Sequence, residues 1–344
     1  MPPRLYLDNA ATSFPKPPAV IEAMVRYANE VGGSAGRGAY AEAVEGGRII
    51  RRCREAICRF INGEAADHVV FTLNTSDALN LAINGIISQR RLSAPGKRVH
   101  LVGTDMEHNS VLRPFNAWKD EGVEWTCVRA DPDSARIDPE DVRRALRPET
   151  ALVALNHASN VTGTIQPAAA VGAICRDAGV PFLLDAAQSL GHIPVDARAL
   201  RADLLAFPGH KGLLGPLGTG GLYLRPGMEK LVRPVRVGGT GSQSEQDTQP
   251  LTMPDRFEPG SQNAIGLAGL EAGVNWLLER GASLFAHDRQ LRERMLEGLR
   301  ELDAWGPRAG ARGWRLLGPT AADDRVGVFT LVHAELNAHE VAAV

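Results

Sequence analysis

The sequence predicts an α/β fold, a mostly parallel sheet flanked by helices and followed by a smaller α+β unit. Three observations carry this expectation. Short apolar runs alternate with helix-patterned stretches between residues 67 and 224, the order expected of β–α units feeding a parallel sheet. One run, Ala151-Leu152-Val153-Ala154-Leu155, is apolar without interruption, as a strand covered on both faces must be. Beyond about Gly260 the pattern changes. Two long helical stretches, Ala264–Arg280 and 282–302, precede a strand-like run at 326–332 and a helix opening near Asn337.

In chain order, strands are expected at 67–72, 98–103, Val123–Val128, 151–155, 181–184, 203–207 and 221–224. Helices are expected at 77–88, 138–146 and Ala168–Ala178. The second of these has Asp138 as N-cap and Pro139 at its first position, where a missing N–H costs nothing. A chain of 344 residues suggests about two domains. The pattern places a large one at 15–262 and a small one made from 1–14 together with 263–344. No internal repeat or low-complexity segment interrupts the sequence.

Composition is that of an ordinary globular protein, with 44% hydrophobic and 23% charged residues and a net charge of −2. No block of like charge points to nucleic acid or to an anionic membrane. The basic cluster Arg48, Arg51, Arg52 and Arg54 falls in a helical pattern and reads as a solvated helix face. No apolar run approaches the roughly 18 residues of a membrane span. The stretch Met1 to Asp8 lacks the apolar core of a signal peptide. The four cysteines, Cys53, Cys58, Cys127 and Cys175, form no CxxC pair and no framework, so a reducing cytoplasm is expected, and no metal site.

Four segments could carry chemistry. In Phe182-Leu183-Leu184-Asp185-Ala186-Ala187-Gln188, a carboxylate stands at the C-terminal end of a buried strand, where open α/β sheets bind ligands. A buried carboxylate needs a partner, and a protonated pyridine nitrogen would be one, with Gln188 in reach of a phenolic oxygen on the same ring. The competing reading is a helix N-cap aspartate beside a surface glutamine. In Phe207-Pro208-Gly209-His210-Lys211-Gly212, a lysine follows an apolar strand among glycines. Desolvation would free its amine to act as a Schiff-base nucleophile, whereas a solvated loop lysine is the alternative. Leu73-Asn74-Thr75-Ser76-Asp77 opens a helix whose first N–H groups and hydroxyls suit phosphate, or simply form an ordinary cap. In Glu107-His108-Asn109-Ser110, an imidazole just after a strand end could stack on a flat ring, though a structural histidine is the commoner case. Neither a Walker A loop nor G-x-G-x-x-G at the first strand–helix turn is present, which argues against nucleotide hydrolysis and nicotinamide chemistry.

Together the segments resemble the class V aminotransferases of pyridoxal-phosphate (PLP) fold type I, and within them the cysteine desulfurase-like group. The resemblance runs from Tyr6-Leu7-Asp8-Asn9-Ala10-Ala11-Thr12 to about Ser261. It includes Asn74-Thr75-Ser76-Asp77, Glu107-His108-Asn109-Ser110, the stretch Asn156 to Gly163, Asp185-Ala186-Ala187-Gln188, Gly209-His210-Lys211, Gly238-Gly239-Thr240-Gly241-Ser242 and Arg256-Phe257-Glu258-Pro259-Gly260-Ser261. It implies a seven-stranded, mostly parallel sheet and PLP held as a Schiff base on Lys211, which would also move protons. Asp185 would pair with the pyridinium, Gln188 with the phenolic oxygen, and Asn160 would lie nearby. His108 would stack on the ring and serve as acid or base. Thr75, Ser76 and His210 would hold the phosphate. Thr240 would reach the phosphate of a second subunit, since the family builds its site across a homodimer. Asn9, Ala10 and Arg37 would lie near the amino-acid substrate.

The implied activity is release of sulfur from L-cysteine, leaving L-alanine, with a sulfur-acceptor protein as a possible partner. The alternatives are another class V reaction, such as transamination or selenocysteine lysis, and a member that binds PLP without turnover. Two departures bear on this. Pro208 stands where many relatives carry a hydroxyl, which removes one phosphate contact. The mobile cysteine and the carboxylate-binding arginine of the desulfurases fall beyond the position of Val344, and none of the four cysteines matches that cysteine. The C-terminal part of the small domain is therefore expected to be incomplete.

Overall fold

The computed structural model describes residues 5–36, 38–243, 245–303 and 313–342. In chain order the elements are α1 (Pro18–Arg26), α2 (Ala41–Phe60), β1 (Val69–Thr72), α3 (Thr75–Ser93), β2 (Val99–Thr104), α4 (Asn109–Ala117), β3 (Val123–Val128), α5 (Pro139–Ala145), β4 (Thr150–Asn156), α6 (Ala168–Ala178), β5 (Phe182–Asp185), β6 (Leu204–Pro208), β7 (Gly220–Leu224), α7 (Ala264–Arg280), α8 (Ala282–Glu301), β8 (Trp314–Leu316), β9 (Leu331–His333) and α9 (Ala338–Ala342).

Seven strands form one sheet in the order β1-β7-β6-β5-β4-β2-β3, with only β7 antiparallel to its neighbours. The fold is therefore the expected mostly parallel α/β sheet. Side chains alternate across it, since successive Cβ atoms point to opposite faces. Val102, Leu155, Leu184 and Phe207 join α2, α6 and α7 in one core. Leu101, Leu152, Leu183 and Ala206 join α3 and α4 in the other. Coverage on both faces explains why β4 is apolar for its whole length, whereas the edge strand β3 is partly exposed.

Most strands lie within a residue or two of their expected positions. Residues 66–68 form a short 3-10 turn rather than strand, so β1 starts at Val69. Asp138 does cap α5, accepting the N–H of Glu140 at 2.9 Å.

Two expectations need correction. Arg48, Arg51 and Arg52 are exposed, but Arg54 is 5% exposed. It lies on the inward row of α2 with Ile50, Cys53 and Ile57, and its guanidinium pairs with buried Glu258. Glu258 in turn accepts the Phe71 N–H, so the pair ties α2 and the 254–261 segment to β1. The expected strand at 326–332 is a strand only from Leu331. Backbone groups upstream are taken by the 161–164 turn instead: Val326 N donates to Gly163 O at 2.9 Å, and Arg325 donates to the carbonyls of Thr162 and Val328. β9 pairs antiparallel with β8, a strand that the sequence pattern does not announce.

Candidate active site

The C-terminal ends of β1, β2, β4, β5 and β6 converge on one cleft. Chain order runs outward from β2 to β3 and then back through β4, β5 and β6, so loops part at this edge, where such sheets bind ligands.

After β1, Asn74 caps α3. Its Oδ1 accepts the Asp77 N–H at 3.0 Å, and Asp77 reaches back to accept the Leu73 N–H at 3.1 Å. This leaves the N–H groups of Thr75 and Ser76 without a protein acceptor among the described residues. Both residues line the cleft at the positive end of a 19-residue helix. After β2, His108 caps α4: its Nδ1 accepts the Ser110 N–H at 3.1 Å, so a neutral ring carries its proton on Nε2. Ser110 Oγ lies 2.6 Å from Ser76 Oγ and joins the two loops.

Asp185, at the end of β5, is 3% exposed. Its Oδ1 accepts the Ala187 N–H at 2.9 Å, and no protein hydrogen bond engages Oδ2 among the described residues. Burial pushes its carboxyl up, against the pull of that N–H, of His108 and of Lys211. Lys211 follows β6. Burial lowers its amine below the ordinary range, opposed by Asp185 and Asp8. His210 also lines the cleft, its buried Nδ1 has no hydrogen-bond partner among the described residues, and burial with Lys211 and Lys16 nearby lowers its pKa to about 4.

The glycines around this pair are required sterically. A Cβ on Gly209 would stand 2.1 Å from Thr219 Oγ1, and one on Gly212 would stand 2.2 Å from Leu190 O. The N-terminal segment pins the loop from outside. Ser13 N and Lys16 Nζ donate to His210 O at 3.1 and 2.8 Å, and Ser13 Oγ donates to Lys211 O at 3.0 Å. Burial brings Lys16 down to about 8.

The structure thus brings Thr75, Ser76, His108, Asn160, Asp185, Gln188, His210 and Lys211 to one cleft. Gln188 and Lys211 also line a neighbouring chamber of about 400 Å³, with Asn9 and Ala10 on its wall. The Gln188 amide is engaged there, donating to Ala10 O at 3.1 Å. Thr240 does not line its own chain's cleft; its hydroxyl meets Ser242 at 3.2 Å. Arg37 lies outside the described residues. Sequence reasoning gave no role to Ser110, Asn156 or Glu107, which lie at or behind the same edge. The signal that could have found Glu107 was an acidic residue four positions past the end of the strand expected at 98–103.

The donor set fits PLP. Two free helix N–H groups, a hydroxyl pair and an unpartnered buried imidazole nitrogen suit its phosphate, and a buried carboxylate with a free oxygen suits its ring nitrogen.

A doubly covered α/β sheet with a lysine and an aspartate at neighbouring strand ends defines the class, the PLP enzymes of fold type I. Residues 5–344 match the family described as Aminotransferase class-V, and the chain belongs to that PLP-dependent family. A probable cysteine desulfurase of Methanothermobacter thermautotrophicus is 38% identical over 275 residues, covering 79% of this chain and 66% of the relative. A probable cysteine desulfurase of Pyrococcus abyssi is 35% identical over 345 residues, covering 99% of this chain and 81% of the relative. The apo structure of cysteine desulfurase from Thermococcus onnurineus NA1 superposes with a TM-score of 0.86 at 32% identity, over 98% of this chain and 81% of that one. The chain thus spans about two-thirds to four-fifths of the length of these relatives.

Proposed function

We propose that this chain is a PLP-dependent cysteine desulfurase, converting L-cysteine to L-alanine with transfer of the sulfur to a thiol, and that Lys211 is its covalent anchor and proton carrier. The observation that carries this reading is the meeting of Lys211 and Asp185 in one cleft with a free phosphate-binding helix end. The desulfurase identity of the relatives supports the substrate.

In this reading Thr75, Ser76 and His210 would hold the cofactor phosphate, and His108 would stack on its ring. Asp185 would pair with the protonated ring nitrogen, and Gln188 would reach the phenolic oxygen with Asn160 nearby. When bound, PLP supplies the electron sink that makes bonds at the substrate α-carbon labile. Lys211, its amine acidified by burial, takes and returns protons at the substrate carbons. Asn9, Ala10 and Arg37 face the amino acid. Thr240 serves the cleft of a second subunit in a homodimer, and the 263–344 region with residues 1–14 forms a small domain beside a large one at 15–262.

Sulfur must leave to a nucleophilic thiolate. None of the four cysteines lines the cleft or the chamber among the described residues, and burial pushes the thiols of Cys53, Cys58, Cys127 and Cys175 up. The acceptor is therefore a thiol other than these four. No described helix is long and apolar enough to cross a membrane, and we place the reaction in the cytoplasm.

The test has two parts. PLP added to the purified chain should give a visible absorbance band, and borohydride should fix the cofactor to Lys211. Label on another lysine would refute the anchor. Alanine released from L-cysteine should depend on an added dithiol. Release of keto acid instead of alanine would overturn the desulfurase reading in favour of transamination.

A further inference from the structure

Behind the cleft, two buried acids share the end of the sheet. Glu107 is 7% exposed and turns back from the loop after β2. Its Oε1 accepts the Thr104 hydroxyl at 2.8 Å and the Asn156 N–H at 3.2 Å. Asn156 ends β4 and stands in register with Asp185 on β5. The second oxygen of Glu107, Oε2, is buried without a partner among the described residues. An ionised carboxylate with one oxygen dry and unbonded is costly, and more so beside a second acid.

The surroundings of the two acids differ. Asp185 has Lys211 and His108 nearby and the Ala187 N–H on Oδ1, all of which favour its charge. The titratable groups that interact with Glu107 are Asp185 from β5 and Cys127 from β3, both acids. Arg129, the cation beyond β3, is taken by Asp105 at 3.6 Å and is largely exposed. No cation therefore offsets a charge on Glu107 among the described residues.

We propose that Glu107 is a positioning residue that keeps its proton, so that the one negative charge of this buried pair resides on Asp185, on the side open to the cleft. Protonation makes Oε2 a donor and removes an unsolvated charge, while Oε1 still braces β2 and β4. Burial, with Asp185 adding to it, raises the Glu107 pKa to about 8, in the same direction. The consequence for a ring nitrogen bound at Asp185 rests on the PLP reading above. The proton on Glu107 does not.

Infrared spectroscopy of the cofactor-free chain decides the protonation. At neutral pH a protonated-carboxyl band should be present, absent in Glu107→Gln, and lost in the wild type as pH passes about 8. In Asp185→Asn its midpoint should move down, because the neighbouring charge is gone. Absence of the band at neutral pH, or an unmoved midpoint, overturns the proposal. PLP affinity, read from visible absorbance, decides the role. Glu107→Gln mimics the protonated acid and should bind within about three-fold of wild type, whereas Glu107→Ala strands two donors and should weaken binding at least about ten-fold. If the glutamine variant binds as poorly as the alanine variant, or fails to fold, the carboxylate itself is needed and the proposal is wrong. If the wild type binds no PLP, the PLP reading fails while the infrared result still decides the proton.

Discussion

The end of the parallel sheet and the C-terminal region are held together by different means. Strands β4 to β7 are buried at every position and belong to two extended cores. Helix α8 buries only Arg292, Leu296 and Leu299, and the core that it shares with β8 numbers four buried residues among those described. Exposed ion pairs such as Arg289–Asp323 also join it to its neighbours. Stability scales with apolar area removed from water, so the first region is a rigid base and the second a compliant one. The cleft that fits the cofactor stands on the base. The chamber beside it is walled partly by α7, α8 and residues 326–329. In the proposed reading, cofactor binding and substrate handling therefore rest on parts of different stability.

The comparison can be broken first at the cleft. Lys211→Ala should lower alanine release by about a hundred- to ten-thousand-fold, the range for a single proton-transferring group, while leaving the thermal transition near that of the wild type. A turnover loss below ten-fold would remove Lys211 from the chemistry.

Packing tests the contrast itself. Phe207 and Leu316 are both 0% exposed. Phe207→Ala should cost about 3–5 kcal/mol, whereas Leu316→Ala should cost about 2 kcal/mol, because a small cluster can collapse around the gap. Amide exchange should likewise be slower in β4 and β5 than in α8. Equal costs and equal exchange would show that the two regions unfold as one unit.

The pH dependence sharpens the picture of the base. His157 is buried with Nδ1 2.9 Å from Ser189 Oγ, and burial lowers its pKa from 6.5 to about 4. Between those values the unfolded chain binds a proton that the folded chain refuses, so stability should fall as acid is added through this window. Glu107 acts in the opposite sense. Its pKa rises from 4.5 to about 8, so the folded chain keeps a proton that the unfolded chain has lost, and stability should fall as pH rises through that window. Urea midpoints should show a shallower acid limb in His157→Asn and a shallower alkaline limb in Glu107→Gln. Unchanged slopes would mean that neither group titrates across folding.

The smallest effect is expected at Arg289, whose partners Asp323 and Glu293 are both on the surface. Arg289→Ala should leave the denaturation midpoint within error, since exposed pairs are screened and lose side-chain entropy on forming. A clear loss would indicate that the C-terminal region leans on its ion pairs.

Much of this was legible in the sequence. Alternating apolar runs located every strand of the main sheet to within a residue or two, because a strand buried on both faces must be apolar throughout. Lys211, Asp185, Thr75 and Ser76 were legible as candidates because each stands at or shortly after the end of such a strand, but the local pattern left a structural reading open for each, and the family resemblance supplied the roles. The end of the chain was less legible. Residues 326–330 are apolar enough for a strand, yet their hydrogen bonds go to the 161–164 turn and to Arg325, a choice made by partners far away in sequence.

The sequence by itself therefore determined the layering of the fold and the strand ends that carry its chemistry, since burial and periodicity are local properties of the chain. Only the tertiary structure decided which of those ends face one another. Arg54 belongs to the core because Glu258, 204 residues away, meets it there. Gln188 is engaged by Ala10 from 178 residues away. Glu107 differs from an ordinary surface acid because Asn156 and Asp185 close over it from two other strands. Charge and proton affinity depend on what surrounds a group in space, and that is fixed only when distant segments come together.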